Sequence, residues 1–384
     1  MGKRILFLIS GEFPYGTAYA ARTRALIKLF ELTGNTVTVL CDEISEGNIC
    51  DFNIISMQRN RLSQFSKLLF YPRDYAKKVD LILTDNPYDL VVCRSMYDRF
   101  SNIIKVTQKN KIPIVLESCE CYDKKSFLKG LQRIRFYQFK KCWRNSYNLS
   151  DGFIVISRYL ENHYSKLNKP LVRIPAILDT KQFNLTLCRK NAQKIRLIYS
   201  GDITGGKELL GEIICAIGKL KSNQSIIEFN IYGPSQKNVY NVISKEERIL
   251  LTNLLQRGII KIHGRIPQYE MKNRIENSDF GIFIRPQRIS SDAGFPTKLG
   301  EYLSSGLPVI TNDTGDISLV LKNEYNGFVI SQPICENLFG VLNRIMSMQK
   351  EDLFQMSMNA RKSAQLFLDP DCYRNKMTLF LDNF

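Results

Sequence analysis

Histidine is scarce in this sequence, because only His163 and His263 occur among its 384 residues. A zinc site built from cysteine and histidine is therefore not expected, and acid–base chemistry that relies on histidine is limited. Loops that gather several carboxylates, as sites for hard cations do, are not evident either. We accordingly expect neither a metal nor another cofactor.

Long apolar runs are also missing, since no stretch reaches the roughly 18 consecutive apolar residues that indicate a membrane-spanning helix. The start, MGKRILFLIS, has the basic residues of a signal peptide. However, Glu12 and Pro14 follow and no small-residue cleavage site is present, so a first buried strand fits better. The ten cysteines lack any Cys-x-x-Cys pair, and we expect them to be reduced in the cytosol.

Acidic residues are outnumbered, at 37 against 54 lysines and arginines, which gives a formal net charge of +17. A charge this large is informative about partners rather than about the fold. Nucleic acid, an anionic membrane surface and a phosphorylated substrate would each fit this charge. Because no known nucleic-acid-binding motif is present, we expect no nucleic-acid partner.

Short apolar runs alternate with helix-length segments along a chain whose length suggests two domains. In the first half, aliphatic and β-branched runs predict strands over 4–10, 36–42, 89–95, 112–118 and 151–157. In the second half they predict strands over 195–201, 227–233, 259–265, 279–285, 307–313 and 327–331. Such alternation is typical of doubly wound parallel sheets.

The predicted fold class is α/β, with two Rossmann-like doubly wound parallel-sheet domains facing across a cleft. The predicted domains are an N-terminal one over 1–178 and a C-terminal one over 195–366, joined by a linker over 179–194. A last helical segment over 367–384 is predicted to cross back to the N-terminal domain. Ligands of such sheets bind beyond the carboxyl ends of the strands.

The stretch DAGFPTKLGEYLSSGLPVITND, over 292–313, combines a glycine loop, a helix and a buried strand. Pro296 is typical of the first helical position, and Gly306 is typical of the residue that ends a helix. The free N–H groups at a helix start attract phosphate, and Gly294 would let a ligand approach the backbone. The pattern therefore predicts a phosphate-binding loop.

Three side chains of this helix add specific chemistry. Thr297 can supply a hydroxyl and Lys298 a cation. Glu301 lies four residues after Thr297 and so faces the same side, where its carboxylate can accept two hydrogen bonds from the vicinal diol of a ribose. An ordinary amphipathic helix with solvated lysine and glutamate is the alternative.

Seven motifs follow one another in an order known from one enzyme family. PTKLGEYLSSGLPVIT is similar to the signature P-x-K-x-x-E-Y-x-x-x-G-x-P-V-I. The others are GEFPYGTAYAARTRALIKLF, LSDGFIVISRYLENHY, VRIPAILDTKQF, YSGDITGGKELL, IKIHGRIPQYEMKNRIENSD and NSDFGIFIRP. The sequence resembles the retaining glycosyltransferases of the GT-B fold, of the family-four or glycosyl transferases group 1 type, over nearly its whole length.

The resemblance implies an acceptor-binding N-terminal domain and a C-terminal domain for a nucleotide-sugar donor. Glu301 would hold the donor ribose, and Lys207 would neutralise the leaving diphosphate. Arg265 and Ile266 would contact the base through their backbone, and Gly201 belongs to the loop that opens the donor domain. The remaining implied donor contacts are Gly16, Thr17, Gly294, Phe295 and Thr297.

The sequence departs from the family pattern at three places. Ala293, beside Asp292, stands where the family has a glutamate, eight residues before Glu301. Asp202 replaces a phosphate-binding arginine, so Arg285 or Lys298 is expected to supply that cation.

The third departure is the family's histidine near the fifth strand of the first domain, which is absent. The segment LESCECYD offers Glu117 and Glu120 instead, and Glu120 is our candidate for catalysis. The changes leave open an inactive or altered member.

The resemblance implies transfer of a sugar, with retention, from a UDP- or GDP-sugar to a lipid-linked or polysaccharide acceptor in cell-surface glycan biosynthesis. Lys207, Arg285 and Lys298 would stabilise the charge that develops on the diphosphate. Two alternatives share the fold: a sugar-nucleotide 2-epimerase, and a degenerate GT-B protein that acts as a binding module.

One stretch, KKSFLKGLQRIRFYQFKKCWR over 124–144, is basic and aromatic and contains no acidic residue. Lys125, Lys129 and Arg133 recur four residues apart, as on one face of a helix. Such a face suits the anionic inner surface of a membrane, and we expect a cytoplasmic protein held peripherally there. A solvated helix packed on the first domain is the alternative.

Overall fold

The computed structural model describes residues 2–46, 51–57, 64–123, 132–185, 194–203, 206–220 and 226–384. They form two compact units. The first consists of Met1–Leu178, Ala293–Phe295 and Pro370–Phe384, and the second of Asp179–Asp292 and Pro296–Asp369.

The first unit is built on nine strands and six helices among its described residues. The strands are β1 Arg4–Leu8, β2 Glu12–Phe13, β3 Thr36–Cys41, β4 Glu43–Ile44, β5 Asn53–Ser56, β6 Leu90–Arg94, β7 Ile114–Ser118, β8 Gly152–Val155 and β9 Leu171–Arg173. The helices are α1 Ala18–Leu32, α2 Gln64–Asp85, α3 Phe100–Lys109, α4 Gln132–Lys141, α5 Arg158–Tyr164 and, from the chain end, α15 Arg374–Leu381.

The second unit repeats this alternation. Its strands are β10 Ile195–Ser200, β11 Ile227–Tyr232, β12 Ile260–Gly264, β13 Phe280–Ile282, β14 Val309–Asn312 and β15 Gly327–Ile330. Its helices are α6 Leu210–Lys219, α7 Gln236–Val242, α8 Lys245–Gln256, α9 Gln268–Glu276, α10 Ile289–Ala293, α11 Thr297–Ser304, α12 Ile317–Val320, α13 Ile334–Ser347 and α14 Lys350–Phe367.

Both main sheets are parallel throughout. The first has the order β5-β3-β1-β6-β7-β8-β9, and the second the order β12-β11-β10-β13-β14-β15. In each, the order runs outward in one direction from the first strand and then reverses beside it, as in a doubly wound nucleotide-binding sheet. The predicted class of two Rossmann-like parallel-sheet domains is therefore confirmed.

The strands form because their side chains are apolar on both faces, which parallel sheets require where helices cover both sides. Ile5, Leu6, Phe7 and Leu8 of β1 are all fully buried. The chain end completes this core, since Met377, Phe380 and Leu381 of α15 pack in the same cluster as β1. Lys3 Nζ also donates to the carbonyl of Phe384 at 2.8 Å.

Helix ends follow the glycine signals. Gly34 and Gly306 have φ angles of 82° and 73°, in the left-handed region that favours glycine. After α11, Gly306 N–H donates to the carbonyl of Leu303 and Leu307 N–H to that of Tyr302. This is the Schellman arrangement, and it confirms Gly306 as the end of that helix.

All eleven predicted strands are present, but four more were missed. Strands β5 and β9 lie at the two edges of the first sheet and are only three or four residues long, mostly half-buried. Strands β2 and β4 pair over two residues each. Such short, partly exposed segments lack the apolar run that predicts a buried strand.

The expectation that every cysteine is reduced was wrong. Cys215 of α6 and Cys335 of α13 form a disulfide with a Cα–Cα distance of 6.0 Å. The two residues are 120 positions apart in the sequence. They meet because α6 and α13 pack side by side, which no local pattern indicates.

A buried charge cluster ties three elements of the first unit together. Glu117 of β7 is fully buried and accepts hydrogen bonds from Arg22 Nε at 2.6 Å and from Arg94 Nε at 2.7 Å. Arg22 also donates to the carbonyls of Ile174 and Pro175. The carboxylate therefore links β7 to α1 and β6.

Replacing Glu117 by Gln should destabilise the protein by about 3–5 kcal/mol, because two buried guanidinium groups lose their counter-charge. Urea titration at pH 7 measures this difference in the free energy of unfolding. Glu161→Gln is the control, since the Glu161–Arg173 pair is partly exposed and contributes roughly 0–1 kcal/mol. Equal effects of the two changes would contradict the prediction.

The same cluster predicts a pH dependence. Burial alone would raise the pKa of Glu117, but Arg94 and Arg22 lower it from 4.5 to about 2. A carboxylate whose pKa is lower in the folded state stabilises that state above pH 4.5, and the contribution is lost as the pH falls toward 2. Glu117→Gln should lack this part of the acid-induced loss of stability.

Candidate functional site

The strand order of the second sheet reverses between β10 and β13. Ligands of doubly wound sheets bind at such a point, beyond the carboxyl ends of the strands. The chain leaves β10 after Ser200 and enters the loop that carries Gly201 and Lys207. It leaves β13 after Ile282 and reaches Arg285 three residues later. Two segments with predicted site residues thus begin at this edge of the sheet.

Glycines occupy the carboxyl ends of three neighbouring strands. Gly201 N–H donates to the carbonyl of Tyr232 at 3.1 Å, and Gly233 N–H donates to that of Gly264 at 2.8 Å. A side chain at Gly233 would collide with the carbonyl of Gly201, so glycine is required for this close approach. Arg265, which is exposed, and Ile266, which is half-buried, follow at the end of β12.

Lys298 lies against the edge formed by Gly201, Gly233 and Gly264, which we call the glycine edge. Its Nζ donates to Glu208 Oε1 at 2.8 Å, and the two side chains are only 12% and 6% exposed. The Nζ atom lies 4.2 Å from the centre of the Tyr199 ring and 3.0 Å from where a Cβ on Gly201 would be. The helix α11 thereby delivers a cation to the loop after β10.

The surroundings of Lys298 act on its charge in opposite directions. Burial lowers its pKa, the Glu208 carboxylate raises it, Arg285 lowers it and Glu301 raises it. Lys298, Glu208, Arg285 and Glu301 therefore belong to one electrostatic neighbourhood.

Arg285 is held by its backbone and its side chain. The Asn312 side chain accepts from Arg285 N–H at 2.8 Å and donates to the Arg285 carbonyl at 2.7 Å. Arg285 Nη1 donates to the carbonyl of Ser291 at 3.0 Å. The guanidinium is consequently fixed at the carboxyl edge of the sheet and is only half-buried.

The helix α11 begins one residue later than predicted, since Pro296 is its N-cap and Thr297 its first residue. Thr297 and Glu301 are both half-buried, whereas Leu299, Gly300 and Tyr302 between and beside them are buried. The pair thus shares the less buried face, as their spacing predicts. Before the helix, Gly294 is half-buried and Phe295 is buried.

In the first unit, the predicted glycine loop leads from β1 into α1. Gly16 is exposed with a φ of 100°, and Thr17 caps α1 by accepting from Ala20 N–H at 3.1 Å. The start of the loop is anchored because Asp42 accepts from Gly11 N–H at 2.9 Å. The Thr17 hydroxyl therefore has a structural role in addition to any contact with a ligand.

Of the two glutamates in LESCECYD, only Glu120 remains a candidate for contact with a substrate. Glu117 is fully buried between two arginines. Glu120 is half-buried and hydrogen-bonds with the Tyr19 hydroxyl. Arg94 connects the two glutamates through Tyr19. Its Nε donates to Glu117, and its Nη1 donates at 3.0 Å to the carbonyl of Tyr19, whose hydroxyl hydrogen-bonds with Glu120.

The sequence pattern missed Glu208, Asn312 and Arg94, which hold Lys298, Arg285 and Tyr19. Their partners lie 90, 27 and 75 residues away, so no spacing rule points to them. The sequence gives one indication that Glu208 belongs to the site, which is its position directly after the predicted site residue Lys207. Lys207 itself is exposed, unlike Lys298.

Among the described residues no three His, Cys, Asp or Glu side chains gather as a metal site would require.

The predicted membrane-contact residues are only partly within the described chain. Lys125 and Lys129 lie outside it, whereas Arg133 is exposed on α4. Ile134 and Tyr137 of that helix are 50% and 66% exposed. Phe139 of the same helix is buried beside the rings of Tyr97, Tyr122 and Trp143. None of the helices over the described ranges has the length and apolarity to cross a membrane.

Comparison with known proteins adds to this geometry. Residues 189–363 match the family described as glycosyl transferases group 1. This segment covers most of the second unit, including the glycine edge, Lys298 and Glu301. Over this segment, the match agrees with the resemblance found in the sequence.

A curated relative and two solved structures agree with this assignment. The amylovoran biosynthesis glycosyltransferase AmsK of Erwinia amylovora is 23% identical over 59% of this chain, and the match spans 55% of that protein, about half its length. A glycosyltransferase from Rickettsia africae has a TM-score of 0.70 and 15% identity, with 99% of this chain and 98% of that chain covered. HepE from Anabaena, solved with UDP and glucose, has a TM-score of 0.71 and 12% identity over 100% of both chains. The fold is that of GT-B glycosyltransferases.

Proposed function

We propose that this protein is a retaining glycosyltransferase that moves a sugar from a nucleotide-sugar to an acceptor. The observation that carries the proposal is the group of Lys298, Arg285 and Glu301 at the carboxyl edge of the second sheet, beside Gly201. Cations and free N–H groups there suit a diphosphate, and a carboxylate on the same helix suits a ribose. The match to the group 1 family and the GT-B fold support this reading.

In this mechanism the acceptor hydroxyl attacks the anomeric carbon on the face from which the diphosphate leaves. The new glycosidic bond forms as the bond to the diphosphate breaks, and the leaving diphosphate takes the acceptor's proton. The protein therefore supplies charge stabilisation and positioning rather than a nucleophile. Lys207, Arg285 and Lys298 stabilise the diphosphate, and loss of one such group costs roughly 100- to 1,000-fold in rate.

The donor is proposed to be a UDP- or GDP-sugar, and the reaction needs no metal. HepE, which shares the fold, was solved with UDP and glucose, so UDP is the first nucleotide to test. Gly16, Thr17, Gly294, Phe295 and Thr297 are proposed to contact the diphosphate or the sugar. Arg265 and Ile266, at the end of β12, are proposed to contact the base.

The acceptor is proposed to be a lipid-linked or polysaccharide glycan, bound by the first unit. AmsK is named for the biosynthesis of amylovoran, and its similarity to this chain supports a role in glycan assembly. Glu120 is the carboxylate we assign to the acceptor hydroxyl, because Glu117 is fully buried between Arg22 and Arg94.

Donor hydrolysis in the absence of an acceptor tests the function. The purified protein is incubated with UDP-, GDP- and ADP-sugars, with and without EDTA. We expect release of the diphosphate from one UDP- or GDP-sugar, with the released sugar in the retained configuration and no effect of EDTA. Binding without turnover would support the binding-module alternative, which Ala293 and Asp202 motivate, and formation of the 2-epimer would support the epimerase.

Glu301→Gln should weaken binding of the cognate nucleoside diphosphate by about 1.5–3 kcal/mol, the range for a hydrogen bond to a charged group. The amide accepts less well from both ribose hydroxyls than the carboxylate does. Calorimetric titration measures the dissociation constant, with Glu324→Gln on the surface of the same unit as the control. An unchanged constant for Glu301→Gln would remove Glu301 from the ribose site.

We further propose that the protein works at the inner face of a membrane, where a lipid-linked acceptor is presented. Helix α4 carries four cations and no acidic residue over Gln132–Lys141. Arg133, Arg135, Lys140 and Lys141 are all exposed, beside the exposed Ile134 and Tyr137. Basic residues next to exposed apolar ones favour the anionic inner leaflet.

Replacing Lys125, Lys129 and Arg133 by Gln should weaken binding to phosphatidylserine-containing liposomes by about 3 kcal/mol, at roughly 1 kcal/mol per basic residue. Sedimentation at low and high salt measures it, and high salt should also weaken binding of the native protein. The control replaces Lys237, Lys245 and Lys322, which are exposed in the second unit, and changes the net charge equally. Equal losses in both variants would indicate a general charge effect rather than a contact surface.

A further inference from the structure

In the pair Lys298–Glu208, both members are almost withdrawn from solvent. Their side chains are 12% and 6% exposed, and a single hydrogen bond of 2.8 Å joins Lys298 Nζ to Glu208 Oε1. The other carboxylate oxygen, Oε2, is buried and has no hydrogen-bond partner among the described residues. Lys298 is thus the group that Glu208 holds.

The position of the ammonium is defined from three sides. Tyr199 of β10 lies beneath it, with the ring centre 4.2 Å from Nζ, and the Phe283 ring centre is 5.2 Å away. Gly201 is also close, since a Cβ there would be 3.0 Å from Nζ. The absence of a side chain at Gly201 therefore lets the ammonium approach the end of β10 without a shift.

We propose that Glu208 is a positioning residue, which fixes the Lys298 ammonium beside Gly201 so that this charge acts on the diphosphate of the donor. The inference rests on the proposed function and adds a residue to it. Glu208 itself does not contact the donor in this assignment.

The electrostatic surroundings explain why a carboxylate is needed. Burial lowers the pKa of Lys298, and among the charged groups that face it Arg285 lowers it further, whereas Glu208 and Glu301 raise it. Burial and Glu208 raise the pKa of the Tyr199 phenol well above its usual value, so this ring stays neutral. Without Glu208, a buried lysine beside Arg285 would lose its proton at a lower pH.

Glu208→Gln is the direct test, because the amide keeps the shape of the side chain and removes its charge. We expect kcat with the cognate nucleotide-sugar to fall at least tenfold at pH 8 while KM changes less. The alkaline limb of the kcat profile should move to lower pH by at least one unit. Glu336→Gln, which breaks the exposed Lys219–Glu336 pair of the same unit, should leave the profile in place.

A second variant separates charge from shape. An arginine stays protonated throughout this pH range, so Lys298→Arg should lose the alkaline limb. Adding Glu208→Gln to Lys298→Arg should then move no limb at all. A shift of the same size in the double variant would assign the titration to another group and overturn the proposal.

Thermal unfolding gives a readout that does not require activity. A lysine whose folded pKa is below its unfolded value destabilises the folded state at low pH, and this penalty is relieved as the pH rises toward the unfolded value. The Tm deficit of Glu208→Gln should therefore be largest near pH 7 and shrink toward pH 10. A variant that fails to fold at pH 7 should fold at pH 9.

The outcomes separate the two proposals. If the native protein binds neither UDP nor GDP and turns over no donor, the proposed function fails. If the native protein is active but Glu208→Gln keeps the native pH profile and a Tm deficit that is constant with pH, the pair is merely structural and the positioning role is overturned.

Discussion

The arrangement of the candidate residues around the second sheet depends on one constraint, which is that parallel strands all end at the same edge of their sheet. Both faces of these strands are buried, so their side chains are mostly apolar. Polar side chains therefore occur mainly where the strands end and the backbone turns outward. The second sheet reverses its order between β10 and β13. The loops after these two strands therefore start side by side. The order of the strands alone thus brings the loop with Gly201 and Lys207 next to the segment with Arg285.

Each sheet carries a buried charge cluster near its carboxyl edge, and the two differ in composition. In the first unit, the carboxylate of Glu117 is shared by Arg22 and Arg94. In the second, the Lys298 ammonium is hydrogen-bonded to the carboxylate of Glu208. Buried ion pairs are weak sources of net stability, because desolvation offsets their attraction. Here each links two segments of its own unit: Glu117 joins β7 to α1 and β6, and Glu208 joins the loop after β10 to α11.

The sequence was sufficient where the signal is local. The apolar runs predicted eleven of the strands, Gly306 marked the end of α11, and the spacing of Thr297 and Glu301 placed both on one face. It was insufficient where structure depends on distant partners. Glu208 meets Lys298 across 90 residues and Cys215 meets Cys335 across 120. Such pairs follow from how helices and strands pack, which hydrophobic periodicity does not encode.

The departures from the family signature become coherent when the charges at the second sheet's edge are considered together. The charged groups of this region include the cations Lys207, Arg285 and Lys298 and the carboxylates Asp202, Glu208 and Glu301. An edge on which carboxylates accompany the cations attracts a diphosphate less strongly in the ground state than the same cations would without them. In the proposed mechanism catalysis loses little by this, because only interactions that strengthen as charge develops on the leaving group accelerate the reaction. The Lys298 ammonium, held by Glu208, would meet that requirement, since a fixed charge need not reorganise as the bond breaks.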